Sequence, residues 1–381
     1  NFVSGTSSEA EAIELIQTSI AVFQKCKMNL QQWITTSSTV CALIPENLQL
    51  HKESISLFGL TWNIERDILK ITRPKFFEGF LTLKTILQNT SKVYNPLGLV
   101  SPIILLRAKL LMRTLREEGK LFNEKISDDK VLEEWFSIQN DFNKIPEIEF
   151  QRKINTSPFT EIHTFSDASA KEYGFIIYAQ TPTSTCTTIH PLFTEARITP
   201  QRKISTPKLE LLAASLSATA TQFVLKALQP IMIPKSVYLW TDSKCTLDRI
   251  YGTKILAPYV ENRVKIIRSV PDLKAQFVPG KQNPADIASR SATYEELQSS
   301  IWFTGPKFLQ YPKSTWPAMK INETSEEIKS EENPASTLLN IVYEKKEILA
   351  INIKNFNSCQ KLLLVTKFTL QFLVKKVPRK I

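Results

Sequence analysis

Apolar residues recur every three or four positions near the start of the chain. Ile13, Ile16, Ile20 and Phe23 share one face of an expected helix, and Ser8 and Glu11 have capping-box spacing. Strand-like runs follow at Leu30–Thr35, Ser56–Trp62 and Asp67–Ile71, the last two expected to pair as a hairpin. Helical spacing returns over 76–90 and from Pro102 to about Glu118, with a turn at Asn95-Pro96-Leu97-Gly98 between them. Ser127-Asp128-Asp129 caps a further helix that carries Trp135 and Phe142.

From about Pro158 the pattern changes. Ile162–Ser166 and Gly174–Gln180 are apolar, β-prone runs joined by a polar turn at Ala170-Lys171-Glu172, and Cys186–Arg197 reads as a third strand. A helix begins after Pro207, carries Leu211, Leu212, Leu216 and Phe223, and ends near Leu228. Ser236–Thr241 is apolar on both faces, as an interior strand is. Helices over 243–251 and 258–270 and a short strand over 274–279 complete the order β-β-β-α-β-α-α-β-α. That order predicts an α/β fold, a mixed five-stranded sheet flanked by helices. Beyond it, 319–336 is polar and acidic, and 338–381 is helical in pattern and basic.

A chain of 381 residues has room for two or three domains. The net charge of +11 suits an acidic partner, nucleic acid being the commonest; a basic protein without such a partner is the ordinary alternative. The five cysteines are scattered without a CxxC pair, and only three histidines occur, which argues against a zinc ribbon, a disulfide framework or a His-based zinc site. The apolar stretches Ile103–Met112 and Leu362–Val374 are interrupted by Arg107, Lys109 and Lys367 and fall short of the roughly 20 residues of a membrane span. The cysteines read as reduced intracellular thiols, so an intracellular location is expected, with no membrane partner.

Four carboxylates occupy four separate segments: Asp167 in Phe165-Ser166-Asp167-Ala168-Ser169, Glu210 in Pro207-Lys208-Leu209-Glu210-Leu211, Asp242 in Trp240-Thr241-Asp242-Ser243, and Asp286 in Asn283-Pro284-Ala285-Asp286. Phosphodiester hydrolysis needs an in-line water, a neutralised phosphate and a stabilised leaving group, and two Mg²⁺ ions roughly 3.5–4 Å apart supply all three. Mg²⁺ takes oxygen ligands, so carboxylates from several segments are the expected cage. Each acid has an ordinary alternative. Asp167 and Asp242 could be solvated strand-end residues, Glu210 an early-turn acid favoured by its helix dipole, and Asp286 a helix cap.

In combination they resemble a known family. His163-Thr164-Phe165-Ser166-Asp167-Ala168-Ser169, Tyr173-Gly174, Thr206-Pro207-Lys208-Leu209-Glu210-Leu211-Leu212-Ala213-Ala214, Trp240-Thr241-Asp242-Ser243, Asn262-Arg263-Val264, Val278-Pro279, Asn283-Pro284-Ala285-Asp286 and Ser289-Arg290 stand in the order of a type 1 ribonuclease H. The version they are most similar to is that of BEL/Pao-type LTR retrotransposon polyproteins, and Trp302-Phe303-Thr304-Gly305-Pro306 resembles the close of its region. Upstream, Val3-Ser4-Gly5, Gln32-Trp33, Phe58-Gly59-Leu60-Thr61-Trp62 and Tyr94 to Pro102 resemble the end of a reverse transcriptase; Asn357 to Phe372 resembles the lead-in to an integrase.

The resemblance implies a polyprotein slice: a partial reverse transcriptase over 1–150, a ribonuclease H-like domain over 155–300, a linker over 301–336 and a helical integrase lead-in over 337–381. It implies that Asp167, Glu210, Asp242 and Asp286 hold two Mg²⁺ ions, or Mn²⁺ in their place. Asp167 and Asp242 would bracket the first, Glu210 would position the water or ribose, and Asp286 would complete the second. The substrate implied is the RNA strand of an RNA–DNA hybrid, and the partners are the upstream polymerase palm and the downstream integrase, in a cytoplasmic particle or the nucleus. A non-catalytic nucleic-acid-binding remnant and a template-positioning connection module are the rival readings.

Four departures stand out. The Tyr-x-Asp-Asp signature is absent, so no polymerisation is expected, and the integrase lead-in has no HHCC set, so neither zinc nor strand transfer is. The loop Phe277–Gln282 lacks the histidine that aids product release in some cellular relatives, which implies slow turnover. Glu195 stands where the family often has Lys, which implies a weaker phosphate contact there.

Arg197, Arg202 and Lys203 could track hybrid phosphates or simply line a solvated loop. Ser169 and Ser243 could bond the ribose or orient carboxylates, with capping as the alternative. Asn262 and Arg263 are expected to face the substrate or tie their helix to the site.

Overall fold

Ser8 caps the first helix, α1 (Glu9–Lys25), by accepting from the Glu11 amide at 3.3 Å. The computed structural model describes residues 3–318, apart from 7, 73, 74, 78, 146 and 147. The apolar stripe of α1 is only half-buried. No strand forms over Leu30–Thr35: Gln32 takes a φ of 60°, Trp33 makes a single bridge to Gln49, and a short helix, α2 (Ser38–Ala42), follows.

The run at Ser56–Trp62 is itself a hairpin. Phe58 and Gly59 adopt φ of 49° and 83°, the two positive values a tight two-residue turn requires. They separate β1 (Ser54–Leu57) from β2 (Leu60–Asn63). With β3 (Ile68–Ile71) and β4 (Glu149–Gln151) these form an antiparallel sheet in the order β1-β2-β3-β4. The helix predicted over 76–90 starts later, because Thr82 and Thr85 form a reciprocal capping box that opens α3 (Leu83–Ser91). The Asn95–Gly98 turn forms, and a π-helical turn over Pro102–Leu106 leads into α4 (Arg107–Glu117). Asp128 caps α5 (Asp129–Lys144), which buries Trp135 and Phe142.

The second sheet contains β5 (Glu161–Ala168), β6 (Glu172–Pro182), β7 (Thr187–Ile198), β8 (Val237–Thr241) and β9 (Leu273–Phe277) in the order β7-β6-β5-β8-β9. β5, β6 and β7 pair antiparallel, while β8 and β9 run parallel to β5. This is the mixed five-stranded sheet of a ribonuclease H-like fold. Around it stand α6 (Thr206–Leu228), α7 (Lys244–Tyr251), α8 (Pro258–Arg268), α9 (Asp286–Arg290) and α10 (Tyr294–Ser299). By length and composition α6 could cross a membrane, but its apolar side is in use: Leu211, Ala214 and Ala218 pack with Phe175, Ile177 and Leu239 of the sheet.

The other sheet face is covered by α9 and, in large part, from outside the 155–300 segment. Phe165, Ile176, Tyr178 and Trp240 share one core with Ile103, Leu106 and Phe142 from upstream and with Trp302 and Leu309 from downstream. Packing therefore runs without a break across residue 150. A linker beginning at 301 is not what forms. The Trp302 indole is fully buried and donates to the Leu99 carbonyl at 2.8 Å, and the Gln180 amide donates to the Leu309 carbonyl at 2.6 Å. Bulky apolar side chains at these positions make them core. The described residues belong to one compact unit, Asn1–Ile328; the tail expected over 337–381 lies outside the described residues.

The Asn95–Gly98 turn docks on β7. The Thr194 amide donates to the Leu97 carbonyl at 3.0 Å, and Gly98, at φ 76°, lies so close that a Cβ would fall 1.8 Å from the Thr194 oxygen.

Candidate active site

Parallel pairing of β5 with β8 sets Phe165 opposite Trp240. Asp167 and Asp242 each follow two residues later, so both point to the same side of adjacent strand ends, where neighbouring strands are roughly 5 Å apart. Leu209 and Ala213 of α6 pack against Ala168 and Tyr173 beside them, which brings Glu210 of the same helical turn to this edge. The loop after β9 brings Asp286. Its Asn283 amide donates to the Ser166 carbonyl at 3.1 Å, next to Asp167, while the Asn283 side-chain oxygen accepts from the Ala285 amide at 3.1 Å. Asp286 then opens α9.

The four acids feel one another. Burial, then the charge of Asp242, pushes the Asp167 carboxyl up to about 6, with Asp286 adding to the rise and a Ser289 hydrogen bond opposing it. Asp242 is raised by burial and by the neighbouring Glu210 and Asp286. Asp286 is raised by burial and restrained by Arg290, whose Nε lies 2.8 Å from its Oδ1. Asp242 Oδ1 is buried without a hydrogen-bond partner, and Gly280 approaches so closely that a Cβ there would lie 3.1 Å from Oδ2. Oxygen donors with an orphaned lone pair suit a hard divalent cation. Among the described residues, however, no group of three or more His, Cys, Asp or Glu stands ready to hold a metal ion.

Ser169 and Ser243 serve the backbone. The Ser169 hydroxyl accepts from the Lys171 and Glu172 amides in the β5–β6 turn, and Ser243 caps α7 by accepting from the Thr246 amide at 3.0 Å. Arg197, Asn262 and Arg263 come together with Tyr173, Leu212 and Ser215 around a recess of about 270 Å³. Arg263 stacks over the Tyr259 ring with its guanidinium carbon 3.4 Å from the centroid, and its Nε has no partner. Arg197 donates to Glu195 at 2.6 Å, so the acid at the position where the family often has Lys already neutralises it. Arg202 and Lys203 are exposed in the loop before α6, outside the recess.

Three residues had no role in the sequence reading. The buried Ser289 hydroxyl donates to Asp167 Oδ2, Asn283 ties the last loop to β5, and Gly280 gives Asp242 its space. Asn283 and Ser289 lie within motifs that carry the resemblance. Their partners, 117 and 122 positions away, leave no local signature.

Residues 82–243 match a family described as Pao retrotransposon-like RNaseH-like domain. The match starts well upstream of 155, includes Asp167, Glu210 and Asp242, and ends before Asp286. No curated protein matches the chain. Among solved structures it is similar to the foamy viral protease-reverse transcriptase in complex with double-stranded DNA (11% identity, 60% of this chain and 38% of that one, TM-score 0.39). It is also similar to the N-terminal RNase H domain of a Mycobacterium tuberculosis protein (14%, 38% of this chain and 99% of that one, TM-score 0.27). A third is LC11-RNase H1, isolated from compost and solved with an RNA/DNA hybrid (16%, 36% and 96%, TM-score 0.26). The chain thus spans well under half of the foamy viral chain. Residues 82–243 thus resemble the Pao retrotransposon-like RNaseH-like family, and the five-stranded sheet has the mixed strand order β7-β6-β5-β8-β9 expected of a ribonuclease H-like fold.

Proposed function

We propose that the chain hydrolyses the RNA strand of RNA–DNA hybrids with divalent cations, as one part of a retroelement polyprotein. The observation that carries this reading is the charge penalty shared by Asp167, Glu210, Asp242 and Asp286 at one sheet edge. Acids kept together at such a cost suit a site meant for cations.

Asp167 and Asp242 would hold one Mg²⁺ (or Mn²⁺), and Asp286 would complete a second position. Bound there, the ions would supply phosphate neutralisation and an activated water. Glu210 would orient that water or the ribose 2′-hydroxyl. Ser289 holds the Asp167 carboxylate in one orientation, and Asn283 keeps the Asp286 loop against β5. Arg263 and Asn262 would meet a backbone phosphate at the recess, with hybrid shape and the 2′-hydroxyl giving selectivity. An upstream polymerase palm, a downstream integrase and an intracellular particle complete the proposed setting.

One observation favours a second reading, a nucleic-acid-binding remnant without turnover: no three acids form a ready-made metal group among the described residues. A hybrid labelled in its RNA strand separates the two. Cleavage that needs Mg²⁺, stops with EDTA and is lost in Asp167→Asn while hybrid binding persists supports the nuclease. Wild-type binding with no cleavage in Mg²⁺ or Mn²⁺ sinks it in favour of the remnant.

A further inference from the structure

The first residues of β6 make an unusual seat for α9. Gly174 pairs directly with Asp167 across the strands, and a Cβ on Gly174 would lie 2.8 Å from Cβ of Ala288. Helix α9 therefore sits as low on β6 as a side chain-free position allows. Two residues before Gly174, Glu172 is 1% exposed, yet it carries a carboxylate. Its Oε1 accepts from the Ser291 hydroxyl, while Oε2 is buried without a partner. Burial raises the Glu172 pKa, and the Ser291 hydrogen bond, Lys171 and Arg113 oppose the rise.

Ser291, just past α9, is itself constrained. It holds φ 56° and ψ 164°, a backbone region essentially reserved for glycine. A strained residue persists only where its surroundings over-determine it. The group that reaches it here is the Glu172 carboxylate. Within the same short helix, Ser289 bonds Asp167, and the charge of Asp286 is felt by Asp242.

We infer that Glu172 and Ser291 form a latch that fixes the end of α9, and through it the placement of Asp286 and of the Ser289–Asp167 bond. Glu172 is a positioning residue, acting on the acids only through α9. This inference rests on the reading of those acids as cation ligands. Loss of a partner outside the ligand set commonly lowers metal affinity by about 10–100-fold.

The test uses the full chain in wild-type, Glu172→Ala, Glu172→Gln and Ser291→Ala forms, with two readouts. One is the Mg²⁺ concentration giving half-maximal hybrid cleavage, measured alongside hybrid affinity. The other is hydrogen exchange over 285–292, with and without Mg²⁺, which needs no turnover. The latch predicts faster exchange in Glu172→Ala, a half-saturating Mg²⁺ raised about tenfold and unchanged hybrid affinity. Glu172→Gln, which can still accept from Ser291, should recover most of both. Should Glu172→Ala not fold, Ser291→Ala carries the same expectation. A folded Glu172→Ala or Ser291→Ala that keeps wild-type Mg²⁺ dependence overturns the latch alone. A wild-type chain whose cleavage and exchange both ignore Mg²⁺ overturns the cation reading first, and the latch with it.

Discussion

Asp167, near the end of β5, and Asp242, one residue past β8, each stand two residues beyond the Phe165–Trp240 pair of these parallel strands, and the charge of Asp242 helps drive the Asp167 carboxyl up to about 6. A buried and a half-buried acid side by side are electrostatically unfavourable once both ionise. The arrangement makes sense where a cation offsets the repulsion.

That penalty has a pH signature in the metal-free protein. Asp167 titrates near 3.8 when unfolded and near 6 when folded, so the folded state binds more protons between these values. Its contribution to stability therefore falls as pH rises through that window, by about 3 kcal/mol in all. His163 works in the opposite sense. It is buried and lowered from 6.5 to about 3, so the stability it contributes is lost as pH falls from 6.5 towards 3. Comparing wild type with Asp167→Asn at each pH separates them. In EDTA, the variant should be markedly more stable than wild type at pH 7.5 and close to it at pH 4, and Mg²⁺ should narrow the gap at pH 7.5. Equal melting temperatures at pH 7.5 would show that Asp167 carries no such strain.

The docking of the upstream turn on β7 is tested at Gly98. A methyl group there meets the Thr194 carbonyl at 1.8 Å, with φ at 76°. Both problems fall on backbone, which cannot rotate away. Gly98→Ala should cost about 2–4 kcal/mol in urea unfolding. A change below about 0.5 kcal/mol would mean that the turn is not seated on the sheet.

Arg263 and Arg197 share a recess and differ in pairing. Arg263→Ala should weaken hybrid binding and reduce the slope of log affinity against log salt by about 1. Arg197→Ala should leave that slope unchanged, since Glu195 already neutralises the guanidinium. Equal slopes for both variants would remove Arg263 from the substrate path.

Much of this molecule was legible in its residues, for local reasons. The capping residues Ser8 and Asp128, Pro207 at the start of α6 and the apolar runs of β5, β6 and β8 act within a few positions, and their elements form where the pattern predicts. The four acids stood out as candidates because each lies in a motif with its own spacing. Leu30–Thr35 has strand composition but finds no strand partner, and the Phe58–Gly59 turn hides inside an apolar run. Tertiary structure alone decided that the sheet's second face is closed by Ile103, Phe142 and Trp302, because burial depends on what meets a side chain and not on its type. It alone decided that Ser289 would hold Asp167 and that Glu172 would meet Ser291, since hydrogen bonds across more than a hundred residues exist only once the chain has closed on itself.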